Sequence, residues 1–174
     1  METIILALKV LQTMGISLGV GASTLAIVFF FLAIKDGEIS RDERSYLGVI
    51  YIVLRVAMGI ILVTTLLLAT IGYVYIGLSY FTGYATAQLI LLAVLFTNAF
   101  LMTKRIMPST FGPAIQASSW YSLGFLAALY GQDVREVDIM IFFLSYITLI
   151  LFATSFINAM MAYLKEKREE SVTN

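Results

Sequence analysis

The sequence predicts an all-α fold, a polytopic bundle of five transmembrane helices, on three observations. Of the 174 residues, 60% are hydrophobic and only 13% charged, and the mean hydropathy is +0.94, more than a soluble domain of this length carries. The apolar residues fall into five runs almost free of charge, and about 18 such residues cross hydrocarbon as a helix that satisfies its own backbone amides. None of the runs alternates with period two, as the strands of a membrane barrel would. The spans are expected at 4–34, 46–72, 84–103, 113–130 and 138–164, one transmembrane domain over 1–164 followed by a short charged tail at 165–174, expected to fray.

Helix 1 opens Met1-Glu2 without a basic flank, and its apolar run outlasts a signal peptide, so it reads as a retained span. Within it, GISLGVGAS sets Gly15, Gly19, Ala22 and Ala26 at three- and four-residue spacing, a smooth ridge of the kind that lets helix backbones approach closely. A phosphate cradle is disfavoured there because the lysine and the strand of a P-loop are missing. The polar stretch KDGEISRDE, residues 35–43, resembles part of a calcium loop. Setting Gly37 at position 6 puts Asp36, Ile39 and Glu43 at positions 5, 8 and 12, but Leu32 and Ile34 occupy ligand positions 1 and 3. The same stretch supplies Gly37 to end helix 1 and Ser40-Arg41-Asp42-Glu43 as a capping box that starts helix 2, and the turn reading prevails.

Two cations interrupt the apolar runs, Lys9 in helix 1 and Arg55 in helix 2. An intramembrane charge is by default a functional-site hypothesis. Each lies near one end of a long run, however, and a snorkelling side chain reaches headgroups from there. Helices 1 and 2 run antiparallel, so the two belong to opposite ends.

Helix 3 offers Gln88, Thr97 and Asn98. Helix 4 is the shortest and most polar span, with Gln116, Ser119 and Ser122 at i, i+3 and i+6 and with Ser118 and Trp120 among them. Helix 5 adds Ser145, Thr148, Ser155 and Asn158. Polar residues at this depth turn inward, where they either line a path through helices 3 to 5 or tie helices together by hydrogen bonds. Both readings stay open.

Eight cations lie on one side of the scheme: Lys35, Arg41, Arg44, Lys104, Arg105, Lys165, Lys167 and Arg168. The other side carries Arg135 alone, so the positive-inside bias puts the N-terminus outside and the tail in the cytoplasm. Tyr73, Tyr75, Tyr80, Phe81 and Tyr84 then fall at the outer interface, where aromatic belts form.

With no histidine and no cysteine, the chain lacks imidazole and thiolate metal ligands, disulfides and the usual haem ligands, so no metal or cofactor is expected. No carboxylate stands in mid-span and no nucleophile motif appears, so an enzyme is not expected either. Zero formal charge, without a basic run interleaved with aromatics, disfavours nucleic acid as a partner.

The run KVLQTMGISLGVGASTLAIVFFFLAIKDGEISRDE resembles the opening of uncharacterised small polytopic membrane proteins of bacteria and archaea. In those a lysine-leucine stretch leads into a small-residue helix and an R/K-DG-x-IS turn, and some carry a histidine where Gln12 stands here. The resemblance implies a fold and no activity. The expectation is a non-catalytic integral protein of a prokaryotic cytoplasmic membrane, a structural or accessory subunit whose helix 1 ridge meets a second copy or another membrane protein. The alternative is a small channel or transporter with a polar path through helices 3 to 5.

Overall fold

The structure, a computed structural model, describes residues 1–34, 40–108, 110–132 and 136–173, with side chains described for all of these except 33, 34 and 167–173. Five α-helices follow in order: α1 (Glu2–Ile34), α2 (Arg41–Ile76), α3 (Gly83–Thr103), α4 (Phe111–Gly131) and α5 (Ile139–Thr173), with one 3-10 turn, Gly77–Tyr80, between α2 and α3. No strand occurs among the described residues. Lys35, Asp36, Gly37 and Ile39 of the turn, and Arg135 of the charge count, lie outside the described residues.

Among the described residues four of the five helices are by themselves long and apolar enough to cross a membrane, α1, α2, α3 and α5, where the sequence reading expects five spans. The difference is α4, whose 21 residues include Gln116, Ser118, Ser119 and Ser122. That polarity is tolerable because α4 sits inside the bundle, against α1, α3 and α5, and buries Ala114, Ala117, Ser118, Ser119, Trp120, Leu123 and Leu126. The apolar helices turn large side chains outward instead, among them Val10, Ile52, Val63 and Phe152, a surface suited to lipid. The tail expected to fray continues α5 to Thr173. Its sequence, KEKREE, consists of good helix formers, and cations near a helix C-terminus suit the helix dipole.

α1 and α2 form the most extensive contact. They run antiparallel, since Gln12 meets Thr65 near one end and Phe29 meets Tyr46 near the other. The start of α2 is capped as expected: Ser40 Oγ accepts from the Glu43 amide at 3.3 Å, and the Ser40 amide donates to Glu43 Oε2 at 2.8 Å. At the far end of α2 the chain turns through Gly77, at φ 63°, and folds the Tyr80 ring back onto Gly72, where no side chain would fit.

The glycine ridge of α1 is filled from within the chain. A Cβ at Gly15 would come 2.8 Å from Ile60 Cγ2 of α2, and one at Gly19 would overlap the Trp120 ring of α4. Ala22 is buried and Ala26 half-buried against the same core. The close approach read from the sequence is therefore an intrachain one, and Gly15 and Gly19 leave no notch for a second copy.

Candidate ligand site at the Lys9 end

Lys9 lies two turns into α1 and is half-buried. Its ammonium turns into the bundle, where Nζ donates to the Tyr130 hydroxyl at 2.7 Å. It also lies 5.1 Å from that ring's centroid. With the hydroxyl so much nearer than the ring face, the hydrogen bond defines the contact. No carboxylate pairs with Lys9 among the described residues. The snorkelling geometry expected from the sequence is thus replaced by an inward one, because α4 brings a phenol within reach.

Lys9 opens onto a cavity of about 290 Å³ framed by α1, α2, α3, α4 and the 3-10 turn. One helical turn further along α1, Gln12 shares this wall, buried and donating to Thr65 Oγ1 of α2 at 2.9 Å. Tyr84 and Gln88 line the opposite wall at i and i+4 of α3, with the Tyr84 ring 4.9 Å from that of Tyr130. Gln88 is only 7% exposed and has no hydrogen-bond partner among the described residues. The amide is not among the sealed unpartnered polar atoms and so opens onto the cavity, where an acceptor or donor of a ligand can reach it. Tyr80 closes the rim from the 3-10 turn, held there by its fit on Gly72.

The aromatic cluster expected at one interface therefore divides. Tyr73, Tyr75 and Phe81 are exposed, whereas Tyr80 and Tyr84 turn into the cavity wall.

The polar residues of α3 to α5 do not share one chamber. Asn98 Nδ2 donates to Gly112 O at 2.9 Å and to Gln116 Oε1 at 3.2 Å, which ties α3 to the start of α4. Ser119 and the Tyr146 hydroxyl lie 2.8 Å apart and tie α4 to α5. Ser122 and Ser145 face a separate groove between α4 and α5. Thr148 and Asn158 are exposed on the outer face of α5, where Thr148 donates to Leu144 O. Gln88 belongs to the Lys9 cavity. Arg55 is exposed on α2, with no partner among the described residues. Asn98 Oδ1, Ser118 Oγ and Trp120 Nε1 are buried without a hydrogen-bond partner among the described residues.

The Lys9 cavity was not legible as a site in the sequence, since its parts are 121 residues apart at the Lys9–Tyr130 contact. A partial signal exists: Lys9 and Gln12 share a face of helix 1, and Tyr84 and Gln88 share a face of helix 3 at the same end of the bundle. Chemically the site offers an ammonium, two carboxamides and phenol hydroxyls above an apolar floor that includes Ile16 and Leu68. It can hold an acceptor-rich head with a short apolar tail.

No group of three or more metal-ligating side chains gathers among the described residues. Fold and cavity together define a helical bundle with four apolar helices of membrane-crossing length and, at one end, a largely apolar pocket that holds a few polar groups. No protein-family model, curated protein or solved structure matches the chain.

Proposed function

We propose that this chain is a non-catalytic integral membrane protein that binds a small amphipathic carboxylate in the Lys9 cavity. The observation that carries this reading is a Gln88 amide that lines the cavity without a hydrogen-bond partner, beside an ammonium without a carboxylate partner, both among the described residues. A carboxylate oxygen accepts from both groups, and charge-assisted hydrogen bonds are the strong ones. A cavity of about 290 Å³ stands at the small end of ligand pockets, which run from about 300 to 1,000 Å³, so the tail is short. The bundle lies in a prokaryotic cytoplasmic membrane with the Lys9 end outside, a placement supported by the eight-to-one Lys and Arg asymmetry of the connections and tail.

The test is titration calorimetry of the detergent-purified chain with decanoate, using decanol as the uncharged control. Lys9→Met should weaken decanoate binding about tenfold, the worth of one hydrogen bond to a charged group. Gln88→Leu should weaken it about threefold, as for a neutral hydrogen bond. Decanol binding should stay unchanged in Lys9→Met. Equal decanoate affinity in parent and Lys9→Met would sink the proposal. For orientation, a cysteine introduced at Ser79 should react with an impermeant thiol reagent on intact cells and one at Lys104 should not; the parent contributes no background, having no cysteine.

A second reading, passage through the bundle, draws support from a second cavity of about 320 Å³ at the other end of α1, α2 and α4. The layer between the two cavities holds Trp120, Ile61 and Leu123, each 1% exposed or less. A path would thus run along α1, α2 and α4 and not through helices 3 to 5. Flux of decanoate-sized anions through liposomes containing the parent would favour this reading over simple binding; flux only in Trp120→Ala would count against it.

A further inference from the structure

The second cavity has its own cation and its own unpartnered group. Arg105 stands at its mouth, in the last turn after α3, and Ser23 of α1 and Gln116 of α4 lie deeper. The walls between are apolar and include Phe30 and Phe31 of α1.

Three features mark this as a built site. Arg105 is the one non-glycine residue with positive φ among the described residues, at 56°. It takes the position of the usual C-terminal glycine in a Schellman turn, with Arg105 N donating to Met102 O and Ile106 N to Leu101 O, both at 3.0 Å. An arginine in the left-handed region is disfavoured by its Cβ, yet the turn aims its base at the cavity mouth. Second, Ser23 is 3% exposed, lines the cavity and has no hydrogen-bond partner among the described residues. Third, the amide nitrogen of Gln116 finds only the Met58 sulfur, at 3.9 Å, a weak acceptor. Among the described residues no carboxylate lines the cavity and Arg105 has no ion-pair partner.

We infer that this cavity seats the phosphate and glycerol-ester region of an anionic phospholipid. The guanidinium of Arg105 holds the phosphate at the mouth, where its planar fork matches two phosphate oxygens. Deeper in, Ser23 and Gln116 donate to ester carbonyls. The acyl chains leave along Phe30 and Phe31. The inference rests on the membrane reading alone and is independent of what the Lys9 cavity binds.

Native mass spectrometry of the full chain, released from mild detergent and titrated with phosphatidylglycerol, tests it. Arg105→Asn keeps a residue type that tolerates the left-handed region and should lower bound phosphatidylglycerol about tenfold, as expected for a charge-assisted contact. Ser23→Ala should lower it about threefold, as for a neutral hydrogen bond. Lys104→Gln is the control: its ammonium lies 5.7 Å from the Phe100 ring centroid and is absent from the cavity lining. It should change binding by less than about twofold, as for an exposed charge. Inorganic phosphate in equal concentration should not displace the lipid, and Lys9→Met should leave lipid binding intact. Equal losses in Arg105→Asn and Lys104→Gln would mean unspecific headgroup attraction and would overturn the inference. So would displacement by inorganic phosphate, which would make the cavity a free-anion site.

Discussion

The two cavities of the bundle share four helices and have comparable volumes, about 290 and 320 Å³, but they treat their cations differently. At the Lys9 end the ammonium is already engaged by Tyr130, and polar side chains arrive from α1, α3, α4 and the 3-10 turn. At the Arg105 end the guanidinium has no partner among the described residues, sits on a left-handed turn at the mouth, and looks over mostly apolar walls. A pocket whose polar groups are spread over many helices discriminates the head of a small ligand. One with a single cation at its mouth and grease below anchors a large amphiphile by its charge. Similar volume and equal formal charge thus support different chemistry, because the distribution of donors decides what is recognised.

The difference depends on the layer between the cavities, so the largest expected effects come from breaking it. Trp120→Ala removes a fully buried ring and should cost about 3–5 kcal/mol, read as a lower midpoint in detergent unfolding. It should also let decanoate and phosphatidylglycerol compete, which they should not do in the parent. Next comes Gly19→Leu, which forces a side chain into the space of the Trp120 ring and should cost about 1–3 kcal/mol. Leu25→Ala, at a side chain 50% exposed on the same helix, is the control and should leave both cavities and the midpoint nearly unchanged.

Helix existence was legible in the sequence because apolar runs of this length leave few alternatives, and the cap at Ser40 and Glu43 was legible because it is local. The ridge of Gly15 and Gly19 announced close packing, but sequence spacing alone does not say what fills a notch, and here it is Ile60 and Trp120 of the same chain. In the sequence Lys9 reads as snorkelling, because its partner, Tyr130, arrives only by tertiary structure. The polar residues of α3 to α5 suggested one path, yet Asn98 with Gln116, Ser119 with Tyr146, and Gln88 face three different ways. A polar residue on an apolar helix shows that it needs a partner, without showing which neighbour the bundle supplies.

Smaller effects sharpen the comparison from one side at a time. Asn98→Ala frees Gln116 on the wall of the Arg105 cavity and should cost about 1 kcal/mol, near the usual worth of a hydrogen bond between membrane helices. It should alter phosphatidylglycerol binding and leave decanoate binding unchanged. Ser40→Ala removes the cap of α2 and should cost about 0.5–1 kcal/mol without touching either ligand.

The central claim, that the Lys9 cavity is a binding site, is tested most directly by following side-chain amides by nuclear magnetic resonance in detergent during a decanoate titration. Gln88 lines that cavity without a partner, and Asn98 is tied to Gly112 and Gln116 elsewhere. The amide of Gln88 should shift in a saturable way, that of Gln12 less, and that of Asn98 not at all, with the Gln88 shift lost in Lys9→Met. A Gln88 signal that stays put through saturation, or moves no more than Asn98, would contradict the assignment of this cavity as the ligand site.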